Sequence, residues 1–242
     1  GLGRGDAVAI AMPMTLEAVA AYLGIVKAGA VVVSIADSFA AHEIETRLRI
    51  AGARAVVTQD VVHRAGRTLP MYRKVTDAGA ERAIVVPAGD ELAVALRPDD
   101  LAWNDFLVAD EEFETVGCAS SDTCNILFSS GTTGDPKAIP WSHSTTLKCA
   151  MDGYFHHDIH DGDVVAWPTN IGWMMGPWLI FASLMNRGTM AIYYGAPNTR
   201  GFCEFVQDAG VNMLGVVPSL VKAWRTRDLV DGLDWTKIRC YS

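Results

Sequence analysis

Cys124-Asn125-Ile126-Leu127-Phe128-Ser129-Ser130-Gly131-Thr132-Thr133-Gly134-Asp135-Pro136-Lys137 joins two signals in one stretch. Cys124–Phe128 is an apolar run of strand length and reads as a buried strand. Ser129–Lys137 is rich in hydroxyls and glycine and ends in Pro-Lys, which reads as a phosphate-handling loop. Gly131 and Gly134 let the backbone turn so that N–H groups converge on an anion. Ser129, Ser130, Thr132 and Thr133 add donors, and Lys137 adds a compact positive charge that reaches outer phosphates. The loop is not of the Walker type. That pattern needs glycine before the lysine and Ser or Thr after it, and here Pro136 and Ala138 stand there.

Outward from this stretch, strand-like and helix-like segments alternate. Ala7–Ala11, Ala30–Ile35, Ala55–Thr58 and Ala83–Val86 read as strands, with helices over Leu16–Ala28 and Glu43–Ile50. Pro87–Ser121 is acidic and irregular and reads as a connector. Beyond the loop, helices are expected over Thr145–Asp152, Leu179–Met185, Phe202–Asp208 and Ser219–Arg225. Strands are expected over Val164–Trp167, Met190–Tyr194 and Met213–Val217, and from Ile238 onward. Short helices between strands imply right-handed βαβ crossovers and a mostly parallel sheet. The expectation is an α/β protein of two successive βαβ parts, 1–86 and 122–242, joined by residues 87–121, with the chain stopping inside a strand at Ser242 as a fragment would.

With 242 residues, half of them hydrophobic, a real core is expected. A net charge of −8 speaks against nucleic acid as a partner, which needs a clustered basic face. Five scattered cysteines without a C-x-x-C pair fit a reducing compartment. No apolar run reaches membrane-spanning length, and no signal peptide follows Gly1. These features point to an intracellular, soluble protein; no oligomeric state is implied. His156, His157 and His160 lie near Asp158, Asp161 and Asp163, but their spacing matches neither a zinc nor a calcium motif, so no metal site is expected there.

At every position Ser129–Lys137 resembles the signature of the AMP-forming acyl-activating superfamily, which includes acyl- and acetyl-CoA synthetases, luciferases and adenylation domains. The resemblance runs nearly end to end. Gly5–Met14, Glu17-Ala18 and Ala28-Gly29-Ala30 look like the opening α/β unit of the acetyl-CoA synthetase branch. Val31–Phe39 looks closest to plant peroxisomal acyl-activating enzymes, and Gln207–Val211 and Val217–Val221 continue the match.

This resemblance implies site residues. Ser129–Gly134 and Lys137 would hold the ATP phosphates, with Thr132, Thr133 and Lys137 acting on the leaving pyrophosphate. Arg64 and Arg67, in Arg64-Ala65-Gly66-Arg67, match a segment that meets the phosphate-bearing end of coenzyme A; arginine forks suit phosphate. Asn198 in Pro197-Asn198 matches an asparagine on the CoA path. Trp173, Met174, Met175 and Gly176 match the acyl-pocket element, and the adaptable methionines favour a medium-length or aryl-substituted acid over acetate. His143 matches an active-site Thr-His, with Ser142 in the threonine place.

The chemistry implied is activation of a carboxylate by ATP to an acyl-adenylate, followed by transfer to CoA. ATP, CoA and a small carboxylate would be the partners, with Mg2+ implied for ATP. The resemblance also implies that the adenine, ribose and catalytic-lysine segments lie beyond Ser242, so a fragment alone is not expected to catalyse the reaction. Adenylation with another acceptor, a carrier protein or luciferase-type oxidation, and a non-catalytic binding fragment are the alternatives.

Overall fold

The computed structural model describes residues 2–64, 66–109, 112–129 and 134–242. Ser130, Gly131, Thr132 and Thr133, all expected in the phosphate loop, lie outside the described residues. The chain divides into two compact units: residues up to Ser144 with Asn170–Met174, and Thr145–Thr169 with Met175–Ser242.

The first unit runs β1 (Ala7–Ala11), α1 (Leu16–Lys27), β2 (Val31–Ile35), α2 (Ala41–Ala51), β3 (Ala55–Gln59), β4 (Val62–Arg64), β5 (Arg67–Leu69), α3 (Met71–Asp77), β6 (Ala83–Val86), β7 (Leu101–Ala102), α4 (Trp103–Phe106), β8 (Thr123–Phe128) and β9 (Ala138–Ser142). Among the described residues, seven strands form one sheet in the order β7-β6-β3-β1-β2-β8-β9. All neighbours are parallel except β8 and β9. Every residue of β1, β2 and β3 is buried, which is why these strands are mostly apolar on both faces rather than alternating; the polar exceptions are Ser34, Thr58 and Gln59.

Local signals set the helix ends. Thr15 Oγ1 accepts from the Ala18 N–H at 3.2 Å to start α1. Glu43 reaches back to the Ala40 N–H at 2.8 Å at the start of α2, which ends at Gly52 in the left-handed region. Ile44 and Leu48 of α2 pack with Val33, Ile35, Val56 and Val75 in one cluster.

The second unit contains most of α5 (His143–His157), then β10 (Val164–Ala166), α6 (Met175–Leu184), β11 (Thr189–Ala191), α7 (Arg200–Asp208), β12 (Met213–Leu214), α8 (Pro218–Thr226) and β13 (Cys240–Tyr241). Its four parallel strands are ordered β11-β10-β12-β13. Phe202, Cys203, Val206, Leu220 and Trp224 form the core against the sheet.

Several expectations are corrected. The strand at Cys124–Phe128 was grouped with the second part; β8 instead pairs with β2, Val33 opposite Ile126, in the first sheet. A Ser34–Asn125 side-chain hydrogen bond of 2.6 Å locks that pairing inside the core. The unit boundary therefore falls after Ser144, not at residue 122. The connector is partly structured: it holds β7 and α4, and Leu92, Val94 and Leu96 pack on Tyr72, Ala83 and Val85. Helix α5 starts at His143 and continues past the expected end at Asp152 to His157, so His156 and His157 end a helix. The strand expected to reach Tyr194 stops at Ala191, because Tyr193 turns onto Phe202 and Phe205, with ring centroids 5.3 and 5.2 Å away. Helix α6 begins at Met175; Pro177 fits its first turn, where a missing N–H costs nothing. The hairpin β4–β5, helix α3 and strand β9 have no counterpart among the expected elements.

Candidate functional site

Strands β1, β2, β3 and β8 are mutually parallel, so their C-terminal ends open on one edge of the first sheet. Met12, Asp37, Asp60 and Ser129 follow shortly after those ends. In open α/β sheets that edge is where ligands bind.

The expected phosphate loop is the connection of the antiparallel pair β8–β9, where Phe128 faces Ala138. Its base is closed twice. The Ser129 N–H donates to the Lys137 carbonyl at 3.0 Å, and the Lys137 N–H donates to Ser129 Oγ at 3.0 Å. Ser129 thus braces the loop through its hydroxyl, while Lys137 is exposed. Gly134 has φ 152°, a conformation L side chains rarely adopt. Asp135 carries an exposed ion pair to Arg49 Nη2 at 3.3 Å, tying the loop to α2.

Arg64 and Arg67 are cross-strand partners of the β4–β5 hairpin and share one face of it. Gly66, at φ 73°, supplies the left-handed residue that the tight connection needs. Arg64 Nη2 donates to Asp37 Oδ2 at 2.5 Å. Asp37 is buried, but the Arg64 side chain remains about half exposed. The cation is held at its root by a carboxylate and still offers donors to solvent. Arg67 is exposed. Lys74 Nζ donates to the Asp37 carbonyl at 2.8 Å, and burial lowers the Lys74 ammonium from its ordinary value.

Asp37 also meets the expected acyl-pocket segment. Asn170 Nδ2 donates to Asp37 Oδ1 at 3.2 Å and to the Met12 carbonyl at 3.1 Å, and Asn170 Oδ1 accepts from the Gly172 N–H at 2.9 Å. Gly172 is pressed against β2: a Cβ there would lie 1.9 Å from the Ala36 nitrogen. Trp173 and Met174 follow, both largely exposed. The Trp173 ring meets Phe39 edge-on at 5.6 Å. Arg47 of α2 is buried with its guanidinium carbon 3.9 Å from the Phe39 ring centroid and 5.5 Å from that of Phe128. Its Nη1 donates to the Glu43 carbonyl at 2.8 Å, and burial lowers the pKa of the guanidinium. Trp173, Phe39, Arg47 and Phe128 therefore form a column ending one residue before Ser129.

Met175, Gly176 and Asn198 belong to the second unit. Met175 and Gly176 start α6, and Gly176 is buried. Asn198 is exposed in the turn before α7, where its carbonyl accepts from Arg227 Nη1 at 3.4 Å. His143 opens α5, its N–H donating to the Asp122 carbonyl at 3.1 Å. Asp122 is anchored by Arg4 at 2.7 Å, and that hydrogen bond holds its carboxyl below the usual range. His160 bonds Asp158 at 2.7 Å, and Asp158 also binds Arg239. Among the described residues no group of three His, Cys, Asp or Glu side chains could hold a metal ion. A cavity of about 490 Å³ in the second unit is lined by Trp224, Trp235, Val216 and Tyr241 among others, but by none of the expected site residues.

Asp37, Asn170, Lys74 and Arg47 were not foreseen as site residues. Asp37 did carry a signal: it is the first acid after the buried strand Val31–Ile35, at the sheet edge where ligands bind. Nothing around Asn170 in the sequence marks it.

The chain is 52% identical over 248 residues to hexanoyl-CoA synthase from Cannabis sativa, covering 100% of this chain and 34% of that protein. It is 51% identical over 247 residues to "Probable acyl-activating enzyme 17, peroxisomal" from Arabidopsis thaliana, again covering 100% of this chain and 34% of the relative. It is also similar in structure to acetoacetyl-CoA synthetase from Streptomyces lividans, with a TM-score of 0.91, 26% identity, and coverage of 100% of this chain and 38% of the other. The chain thus spans about a third of the length of the curated relatives it matches. The family model described as AMP-binding enzyme matches residues 1–237, nearly the whole of both α/β units, and the chain belongs to the AMP-binding enzyme family.

Proposed function

We propose that the protein to which this chain belongs is an AMP-forming acid–thiol ligase, which activates a carboxylic acid with ATP and transfers the acyl group to CoA. The observation that carries the reading is the braced loop Ser129–Lys137 at the C-terminal edge of the first sheet, in a chain of the AMP-binding enzyme family. The arginine-bearing hairpin on the same unit supports CoA as acceptor over a carrier protein.

In the first step a carboxylate oxygen attacks the α-phosphorus of ATP. An O–P bond forms, the bond to the β-phosphate bridge breaks, and pyrophosphate leaves. Two anions must meet, so their repulsion has to be screened. Lys137 and the loop N–H groups would hold the β- and γ-phosphates where negative charge grows on the leaving group. In the second step the CoA sulfur attacks the acyl carbonyl and a C–S bond forms; the acyl C–O bond to the phosphate breaks, AMP leaves with its electron pair, and the thiol proton passes to solvent. Arg64 and Arg67 would bind the nucleotide phosphates of CoA and do no chemistry. Mg2+, carried mainly by the phosphates of ATP, would screen their charge; among the described residues no group of three or more His, Cys, Asp or Glu side chains would hold it.

The substrate we favour is a medium-length or aryl-substituted acid rather than acetate. Met174 is exposed beside Trp173 and can fold along an apolar chain. Each buried substrate methylene contributes about 0.8 kcal/mol. The hexanoyl-CoA synthase similarity points the same way. The test is ATP–pyrophosphate exchange and thioester formation by the full-length protein across acetate, butyrate, hexanoate and an aryloxy acid. Hexanoate or the aryloxy acid should give the highest kcat/KM. No carboxylate-dependent exchange with any acid would overturn the function, and acetate as the best substrate would overturn the specificity.

A further inference from the structure

We infer that Asn170 is a positioning residue that holds the acyl-binding loop and the CoA-binding arginine in a single register; the inference rests on the function proposed above. The side chain is buried, and its amide uses both chemical faces: Nδ2 donates to the Met12 carbonyl and to Asp37 Oδ1, while Oδ1 accepts from Gly172 N–H. Its own carbonyl accepts from the Trp173 N–H at 3.0 Å. One residue thus joins the end of β1, the end of β2 and the 170–174 loop. Asp37 passes the link onward, because its second oxygen anchors Arg64.

The loop has no slack with which to absorb a shift. Gly172 lies so close to the Ile35–Ala36 backbone that even a methyl group would collide with it. Trp173 rests edge-on against Phe39, two residues after Asp37. A displacement of the Asp37–Phe39 segment therefore moves the seat of Arg64 and the seat of Trp173 together. An asparagine suits this junction because it is donor and acceptor at once. Aspartate would lose both donors and set a second carboxylate against Asp37.

The test uses Asn170→Ala and Asn170→Asp in the full-length protein. KM for the carboxylate in pyrophosphate exchange and KM for CoA in thioester formation should each rise about tenfold in Asn170→Ala, the scale of one lost buried hydrogen bond, with kcat changed less than about threefold. Asn170→Asp should be worse on both. Amide exchange read by mass spectrometry should quicken in residues 170–174 and in the 62–69 hairpin together, while β1 and β3 stay protected. If exchange rises only in 170–174, or only one KM moves, the coupling is wrong. A lowered melting temperature with both KM values unchanged would make Asn170 merely structural and overturn the inference as well. The exchange pattern is read without catalysis, so a wild-type protein with no ligase activity would sink the proposed function while the exchange still decides the coupling.

Discussion

Ser129 braces one short motif at its base, and Lys137 at its other end is the residue proposed to act on the phosphates. The serine hydroxyl accepts from the Lys137 N–H and closes the loop, leaving the lysine ammonium exposed at the sheet edge. Lys137→Ala in the full-length protein should slow pyrophosphate exchange about 100-fold, the scale of losing one group that stabilises a leaving anion, with KM for the carboxylate little changed. An unchanged maximal exchange rate would refute the assignment. Arg64 needs a more careful substitution, because its removal strands the buried Asp37 carboxylate. Arg64→Lys keeps the charge and loses the fork. It should raise KM for CoA about tenfold and leave exchange without CoA near normal. Collapse of both half-reactions would make the arginine structural. Both arginines could be read in the sequence as a phosphate-seeking pair; that one stands on a buried aspartate could not, since Asp37 and Arg64 are 27 residues apart.

At the scale of elements, α2 does more than cover the sheet. It carries Arg47 into a slot between Phe39 and Phe128, beneath the strand end that leads to Ser129. Its apolar residues Ile44 and Leu48 could be read in the sequence as a buried stripe, but a charged residue in the same stripe looks like a solvated one. The rings of two distant segments, together with the Glu43 carbonyl, make the buried site tolerable for a guanidinium. Arg47→Ala should lower stability by about 2 kcal/mol or more, through the cavity and the lost ring contacts. Arg47→Met, which keeps the stem, should cost less. Urea denaturation of the three proteins measures this, and equal midpoints for Arg47→Ala and the unsubstituted chain would show the slot to be inert. The β4–β5 hairpin escaped detection for another reason. Three-residue strands with exposed polar side chains leave almost no periodic signal.

Across the whole molecule, each unit is tied down by a carboxylate–arginine knot. In the first, Asp100 accepts from the Tyr72 hydroxyl at 2.6 Å, Arg97 Nε at 2.7 Å and the Ala83 N–H at 2.7 Å. In the second, Asp163 accepts from Arg239 Nη2 at 2.7 Å and from the His160 N–H at 2.8 Å. Burial pushes both carboxyls up, but these donors outweigh it and hold both below the usual range. A carboxyl whose folded pKa is depressed adds stability that is present above its unfolded value, about 4, and disappears as pH falls through the folded value. Stability to urea should therefore drop between pH 5 and pH 3, by order-of-magnitude reckoning from those reference values. Asp100→Asn should lower stability at pH 7 and flatten part of that drop. A variant with the same acid sensitivity as the original chain would show that Asp100 is not among its sources. No helix among the described residues is long and apolar enough to cross a membrane.

The sequence by itself determined the alternation of elements, most of their limits and the family signature in the loop. Those signals are local: apolar runs at Ala7–Ala11 and Val31–Ile35, the helical spacing of Leu16–Ala28, and the order of residues in Ser129–Lys137. The tertiary structure alone decided that β8 joins the first sheet beside β2, because a strand buried on both faces can pair with any strand of matching length until a contact such as Ser34–Asn125 selects one. It alone decided that Asn170, Asp37 and Arg64 form one chain of hydrogen bonds, since their partners are 133 and 27 residues apart in sequence. Local patterns report what a residue does to its own backbone; which distant group satisfies a buried polar atom is settled only when the sheet brings the strand ends together.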